Sequence, residues 1–450
     1  MEMSTNIARK LSPESGTLGR NFLWMSWSGV VSIANSVLVW IFMARMRDLD
    51  EVGRFTIVMG LYSLFFSIVS LGLQPYLVNE ISRRRSNASE NPGSIDQLHC
   101  AAIFLLLVSG VVCAFLMTCS GFVISASWEV RIATLVLSLA MIATGPGVVC
   151  EATAIAEGRG KLIATVSTVE NVLRTAIPLA LIWYGFGLVA ICASFAAVRA
   201  VSVAIYFASS RVSISKFRLS FAVLRQLATA APTFAATITV ASINWQAPIF
   251  LLGFASTELE SAEFGAASRF LIPVTILMAS YANAIHPMMA KHKESSPDSF
   301  GRYLTKMASY AAAAAAIVAA GSLLLSGPVL AMLFGENYRR AAPALDLLAL
   351  SVIPFCLVMV VARGLISLNS QRVDLIGNLL GVAVCIISGS LLIPKYGAIG
   401  AAASQLLSFL TIAAIEIVYL YRKIGRFDKW RTAAVSSASF VTIYLILWNQ

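Results

Sequence analysis

The sequence predicts an all-α polytopic membrane protein made of two six-helix bundles related by an internal repeat, plus an extra C-terminal helix, which gives 12–13 spans. Composition is the first observation behind this prediction. The chain is 58% hydrophobic and 12% charged, with a mean hydropathy of +0.81, whereas soluble domains carry about 25% charged residues. Apolar runs of the ~20 residues that a bilayer helix requires recur along almost the whole chain. Landmarks of the first half also recur in the second half.

The apolar runs divide the chain into four predicted parts. Residues 1–20 form a cytoplasmic N-terminal tail, 21–212 an N-lobe with spans 1–6, 213–424 a C-lobe with spans 7–12, and 425–450 an extra C-terminal span. The first run is too long for the apolar core of a cleavable signal peptide, so it is interpreted as a span. The predicted spans are 21–44, 55–78, 101–123, 132–156, 162–183, 187–209, 227–254, 266–288, 307–333, 344–368, 373–393, 397–420 and 432–448.

The distribution of positive charge predicts the orientation. Most of the 33 lysines and arginines fall in loops on one side of the predicted spans, the side that faces the cytoplasm in membrane proteins. The N-terminus is therefore expected in the cytoplasm. The net charge of +11 follows from this asymmetry, and no nucleic-acid partner is expected. The seven cysteines show no C-x-x-C or metal-binding spacing, so no metal site is expected.

The two halves resemble each other at a constant offset of 212 residues. Six spans per repeat is an even number, so both halves cross the membrane in the same sense. Transporters with this arrangement are related by an axis along the membrane normal and expose a cleft between two bundles to alternate sides. The sequence therefore predicts a carrier. The matching landmarks are Glu51-Val52-Gly53 with Glu263-Phe264-Gly265, Pro75 with Pro287, and Tyr184-Gly185 with Tyr396-Gly397.

Charged residues inside spans 5 and 6 are candidates for substrate binding. Glu170 and Arg174 lie four residues apart, so they share one helical face. Charges at that depth are costly on the lipid side, so they should face the protein interior or a watered cavity. They could form an ion pair that fixes packing, or Arg174 could meet an anionic substrate while Glu170 orients it or takes a proton. Arg199 needs a buried partner, either Glu170 or a substrate phosphate.

Two further charges, Glu151 in span 4 and Arg363 in span 10, are equivalent under the repeat offset. They could pair across the cleft when the cytoplasmic side closes, but pairing of each within its own bundle is favoured. Glu416 lies near the cytoplasmic end of span 12 and is expected to reach water by extending its side chain along the helix.

Polar and aromatic residues in spans 1, 7 and 8 are a second group of cleft candidates. They are Asn35, Asn244, Trp245 and Asn283. Hydrogen bonds between helices are the favoured role of buried amides. The same amides could instead bind sugar hydroxyls, with Trp245 stacking on a sugar ring.

ATP hydrolysis is not expected. The turn Gly158-Arg159-Gly160-Lys161 lacks the G-x-x-x-x-G-K-[ST] spacing of a phosphate-binding loop, and no soluble domain is long enough to supply one. No cofactor is predicted, and energy would come from a proton or sodium gradient, from the membrane potential, from substrate flow or from a partner.

Several local patterns point to one known family. They include LDEVGRF (Leu49–Phe55), LGLQPYLVNEISRR (Leu71–Arg84), AEGRGK (Ala156–Lys161), EFGAASRF (Glu263–Phe270) and IPKYGAIGAAAS (Ile393–Ser404). These patterns resemble the Wzx-type polysaccharide flippases of the multidrug/oligosaccharidyl-lipid/polysaccharide exporter superfamily, which includes the MATE fold.

The resemblance implies a flippase for surface or exopolysaccharide biosynthesis. Its cargo would be an undecaprenyl-pyrophosphate-linked oligosaccharide, carried from the cytoplasmic to the periplasmic leaflet of the bacterial inner membrane through a cationic cleft. Expected partners are this lipid-linked oligosaccharide, membrane lipids, a polysaccharide polymerase and chain-length or export proteins. Arg174, Arg199 and Arg363 would suit a pyrophosphate or an acidic sugar.

Two other functions stay open. A multidrug or cation antiporter shares the fold, but it should have acidic residues dominating its cleft, and here buried arginines match or outnumber acids. A membrane-embedded polysaccharide polymerase or ligase is a weaker alternative, because it should carry a large outer loop with catalytic residues. The predicted outer loops are short, so the chain is expected to be a transporter and not an enzyme.

Overall fold

The computed structural model describes residues 37–86, 93–210, 212 and 219–424. Over these residues the chain is helical and contains no β-strand. The N-terminal tail 1–20, Asn35, most of the first predicted span and the thirteenth span lie outside the described residues.

The described residues form a succession of long helices, and eight continuous helical stretches among them are long and apolar enough to cross a membrane. Predicted spans 2–12 all fall on the described helices, and the all-α polytopic fold class is confirmed. The helices are α1 (Val37–Met46), α2 (Leu49–Val69), α3 (Leu73–Ser86), α4 (Gly93–Ile124), α5 (Trp128–Ala156), α6 (Gly160–Trp183), α7 (Leu188–Ser209), α8 (Phe221–Ala255), α9 (Glu258–Ser268), α10 (Leu271–Ser295), α11 (Pro297–Phe334), α12 (Ala342–Ser367) and α13 (Gln371–Ile424), with a 3₁₀ turn at Glu336–Ala341 before α12.

The backbone turns repeat between the two halves. Gly185 separates α6 from α7 with φ 81°, and Gly397, 212 residues later, kinks α13 with φ 50°. Gly158 and Asn369, which follow α5 and α12, also have positive φ values of 66° and 55°. Glycine adopts this left-handed conformation without a steric penalty. The Tyr-Gly landmark of the sequence repeat is therefore a shared turn.

The chain separates into two compact units. One contains Leu61–Ile238, and the other combines Met43–Gly60 with the chain from Thr239 onward. Helices α2 and α8 therefore contribute residues to both units. The lobe boundaries 21–212 and 213–424 stay a prediction.

The first unit is built around α3, α4 and α5. Leu77 and Ile81 of α3 are completely buried against Ala101 and neighbouring residues of α4. Helices α4 and α5 approach closely because Gly145 has no side chain, since a Cβ there would lie 2.2 Å from the carbonyl oxygen of Leu106. Small residues at such crossings allow membrane helices to pack by backbone contact.

The second unit surrounds α12, whose residues are buried along most of the helix. Close packing also explains the glycine of the Glu51-Val52-Gly53 landmark. A Cβ on Gly53 would lie 1.8 Å from the carbonyl oxygen of Glu258 at the start of α9. Next to this contact, Arg54 forms an ion pair with Glu258, at 3.1 Å.

Large apolar side chains are exposed on helices in both units. Phe115 of α4 is 68% exposed and Leu324 of α11 is 81% exposed. Exposed apolar surface of this extent is typical of membrane contact. The chain is therefore a multi-pass membrane protein.

Candidate polar site inside the first unit

Helix α6 carries the first two charged candidates one turn apart. Glu170 is buried and 8% exposed. Arg174 lies one turn further along, with its Nη1 atom 3.6 Å from Glu170 Oε1. The intrahelical ion pair that the spacing predicts is therefore present.

Glu170 also binds the arginine of the neighbouring helix α7. Arg199 Nη1 donates hydrogen bonds to both carboxylate oxygens of Glu170, at 3.3 and 3.2 Å. Arg199 is itself buried, with 8% exposure. Of the two partners considered for this arginine, the structure contains the carboxylate of Glu170, so one carboxylate serves two guanidinium groups.

Two other helices, α5 and α2, hold Arg199 in place. Its Nε donates to Thr144 Oγ1 of α5 at 3.3 Å, and its guanidinium lies 5.3 Å from the ring centre of Phe66 of α2. The side chain passes over Gly147, where a Cβ would lie 3.5 Å from Nη2. The charged group is therefore fixed by hydrogen bonds and by a cation–π contact.

Arg174 is less completely satisfied. Its Nη2 donates to Tyr62 Oη at 2.8 Å, and its guanidinium lies 5.7 and 5.6 Å from the ring centres of Tyr62 and Phe195. Its Nε is buried without a hydrogen-bond partner among the described residues, and 19% of the side chain remains exposed. Arg174 therefore keeps hydrogen-bonding capacity that its own unit does not use.

Glu151 completes the cluster from α5. Its carboxylate accepts a hydrogen bond from Gln74 and interacts electrostatically with Arg199 and Glu170. Tyr206 of α7, 4% exposed, interacts with the same charges and hydrogen-bonds with Ser167. We call Glu151, Glu170, Arg174, Arg199 and their polar neighbours the interior polar cluster. Its two arginines and two glutamates balance in formal charge.

Sequence reasoning missed the uncharged members of this cluster. They are Tyr62, Gln74, Thr144 and Tyr206. A signal for Thr144 exists, because Thr144, Gly147 and Glu151 recur at helical spacing on one face of α5. The others come from α2, α3 and α7, and their proximity depends on tertiary packing.

Arg363 belongs to the second unit and has a partner there. It interacts with the carboxylate of Asp374 on α13, whose Oδ1 also accepts a hydrogen bond from Asn378 at 2.9 Å. This is the pairing within one bundle that the sequence analysis favours. Arg363 and the interior polar cluster are thus parts of different units.

The expectation for Glu416 is wrong. Its side chain is completely buried, with 0% exposure, beside Asp374 and against Gly377. Helix α13 continues to Ile424, which places Glu416 about two turns inside the helix end. Its short side chain cannot extend to water from that depth.

The second group of cleft candidates consists of the amide and aromatic residues of spans 1, 7 and 8. Asn244 is 1% exposed, and Ser408 donates a 2.6 Å hydrogen bond to its Oδ1. Trp245 makes edge-to-face contacts with Phe355 and Phe409, with ring centres 5.2 and 5.4 Å apart. Asn244 thus has the interhelical hydrogen bond that was favoured. Asn283 is exposed on α10, and Asn35 lies outside the described residues.

Two family models match this chain. A model of polysaccharide biosynthesis proteins matches residues 42–343, and a model of the lipid II flippase MurJ matches residues 264–449. No curated protein sequence matches the chain.

Solved structures with the same fold cover nearly the whole chain. The lipid II flippase MurJ in an inward closed conformation has a TM-score of 0.73 and 14% identity, over 96% of this chain and 92% of MurJ. An inward-facing multidrug resistance MATE transporter of the MOP superfamily has a TM-score of 0.74 and 14% identity, over 88% and 96%. A MOP-superfamily transporter from Pyrococcus furiosus, described as having a binding pocket of reverse polarity, has a TM-score of 0.60 and 14% identity, over 92% and 96%.

These comparisons define the class as a multi-pass membrane protein with the MurJ and MATE transporter fold, and they confirm the superfamily expected from the sequence motifs. The expectation of a transporter, and not an enzyme, is confirmed at the level of class. Because its model matches well over half of the residues, the chain belongs to the polysaccharide biosynthesis protein family.

Proposed function

We propose that the protein is a flippase that moves an undecaprenyl-pyrophosphate-linked oligosaccharide from the cytoplasmic to the periplasmic leaflet of the bacterial inner membrane, with its N-terminus in the cytoplasm. Membership of the polysaccharide biosynthesis family supports a sugar-containing cargo. The MurJ model over the second half and the MurJ-like fold support a lipid-linked one. A polysaccharide polymerase and chain-length or export proteins would use the product.

The observation that carries the proposal is the incomplete pairing of Arg174. Its Nε has no hydrogen-bond partner among the described residues, and its side chain is partly exposed. A guanidinium group binds phosphate oxygens through two parallel hydrogen bonds. Arg174 can exchange its long 3.6 Å contact with Glu170 for a phosphate. Glu170 keeps a partner in Arg199, so no uncompensated buried charge results.

In this mechanism Arg199 is a positioning residue and Arg174 contacts the cargo. Arg199 holds Glu170 with two hydrogen bonds, which prevents Glu170 from closing fully on Arg174. The aromatic rings of Tyr62 and Phe195 fix the guanidinium plane. Alternating access of the cleft, driven by a proton or sodium gradient or by the membrane potential, would then carry the headgroup across.

The proposal is tested in cells that depend on this protein for polysaccharide export. Arg174→Ala is expected to lose export while the protein stays in the membrane at normal level, and the lipid-linked oligosaccharide should accumulate on the cytoplasmic face. Arg199→Ala is expected to lose export together with thermal stability, because it leaves Glu170 with only the 3.6 Å contact to Arg174. Arg302→Ala is the matched control, because Arg302 is exposed on α11 outside the interior polar cluster. Full export by both cluster variants would contradict the proposal.

A multidrug or cation antiporter is the second candidate, and the buried carboxyl group of Glu416 favours it. Cation antiporters need acids shielded from water, and Glu416 is completely buried beside Asp374. Efflux of a cationic dye that is abolished by Glu416→Gln, in cells whose polysaccharide export is unaffected by deletion of the protein, would establish this function instead of flipping.

A further inference from the structure

An apolar cavity of about 220 Å³ lies in the second unit, between α10, α11 and α12. Its lining includes Phe270, Val318, Gly321, Leu325 and Val352. Val318 and Leu325 are also 43% and 55% exposed, so the cavity opens onto the surface of α11. This helix presents other large exposed apolar side chains, which is typical of contact with lipid.

A second cavity, of about 440 Å³, lies at the end of the same helix and is polar in character. Residues Arg45, Arg47, Asp48, Asn337 and Tyr338 contribute to its lining. The described residues that line it contain two guanidinium groups and one carboxylate. The cavity therefore favours an anionic group over a neutral or cationic one.

One aromatic contact joins the two cavities. Phe270 lines the apolar cavity and Phe334 lines the polar cavity, and their rings meet edge to face with centres 6.1 Å apart. Along α11, the apolar lining ends at Val329, about 7.5 Å before Phe334 at 1.5 Å per residue. An apolar compartment and a cationic compartment are thus adjacent at one end of α11.

The guanidinium groups at the polar cavity are held by contacts that a stronger anion can supplement. Arg45 is exposed and donates to the backbone carbonyl oxygens of Leu333 and Met332 at the end of α11. Arg47 lies 3.5 Å from Glu51, one turn away. A phosphate accepts charge-assisted hydrogen bonds from arginine more strongly than a neutral carbonyl does.

We propose that the two cavities together bind one anionic phospholipid of the surrounding bilayer, with a hydrocarbon chain in the apolar cavity and the phosphate at Arg45 and Arg47. A soluble anion would leave the apolar cavity unused, and a neutral lipid would make no use of the positive charge of the two arginines. The site is separate from the interior polar cluster and does not depend on the proposed flippase function.

The test uses the purified full-length protein in nanodiscs and native mass spectrometry to count retained phosphatidylglycerol and phosphatidylcholine. Gly321→Leu should fill the apolar cavity without disturbing the helix, because a Cβ at Gly321 meets no atom within 4 Å. The matched control is Ala320→Leu, on the adjacent exposed position of the same helix. We expect Gly321→Leu to reduce retention of phosphatidylglycerol about fivefold or more, as loss of a buried chain segment implies, and Ala320→Leu to leave it unchanged.

Charge variants give predictions of opposite sign. Arg45→Gln should weaken retention of phosphatidylglycerol, and Asp48→Asn should strengthen it, each by a factor of about three to ten. Equal retention by Gly321→Leu and Ala320→Leu, or equal retention of phosphatidylcholine and phosphatidylglycerol, would overturn the proposal. Displacement of phosphatidylglycerol by an equimolar polyprenyl phosphate would also overturn it, because the site would then belong to the cargo.

Discussion

Replacement of Arg199 by glutamine should destabilise the first unit, because it removes one partner of a buried ion pair. Arg199 donates two hydrogen bonds to Glu170 and one to Thr144, and its guanidinium stacks on Phe66. Removal of one partner from a buried pair costs about 3–5 kcal/mol, since the remaining charge stays buried. At about 2–4 °C per kcal/mol, the apparent Tm in detergent should fall on the order of 10 °C. Arg174, at 3.6 Å, can offset part of this loss.

A double-mutant cycle measures the pair itself. Glu170→Gln, Arg199→Gln and the combined variant are unfolded thermally under the same conditions, with Arg302→Gln as the exposed control, which should shift stability by less than about 0.5 kcal/mol. The combined variant should lose less than the sum of the two single variants, with a coupling of about 1–3 kcal/mol. Additive losses, within about 0.5 kcal/mol, would refute the direct pairing.

Three further variants test how the helices pack, each by its expression level in the membrane and its apparent Tm. Gly145→Val should prevent accumulation of folded protein, because its side chain would overlap the carbonyl of Leu106; normal expression would contradict the close α4–α5 contact. Ser408→Ala should cost about 1–3 kcal/mol, because it removes the hydrogen bond to the buried amide of Asn244, and an unchanged Tm would count against that bond. Glu260→Ala should cost about 0.5–2 kcal/mol, because the Glu260 carboxylate accepts a 2.6 Å hydrogen bond from the backbone at the α13 kink; a variant as stable as the wild type would show that the kink does not need it.

The sequence predicts the fold well because the bilayer limits the choices. A helix must satisfy its own backbone in lipid, so long apolar runs identify α4, α11 and the other spans. The repeat was recognisable for a related reason. A turn between two spans needs a residue that tolerates positive φ, and Gly185 and Gly397 supply it at equivalent points.

The candidate site was predictable only in part. The charges Glu170 and Arg199 are identified by the high cost of burying them, and the same cost predicts that they pair. Thr144 and Tyr62 carry no charge, so the cost of burying a charge does not identify them. They join the cluster through the packing of α2 and α5 against α6 and α7. Glu416 was misjudged because hydropathy does not locate the end of a helix to within two turns.

The most direct test of the account is a flipping measurement with purified protein in proteoliposomes. A fluorescent lipid-linked oligosaccharide is placed in one leaflet, and its arrival in the other is followed by protection from a membrane-impermeant quencher. The account predicts transfer by the wild-type protein and by Arg302→Ala, and none above background by Arg174→Ala at equal reconstitution. Wild-type transfer that Arg174→Ala matches in rate would contradict the claim that this partly satisfied guanidinium group receives the cargo.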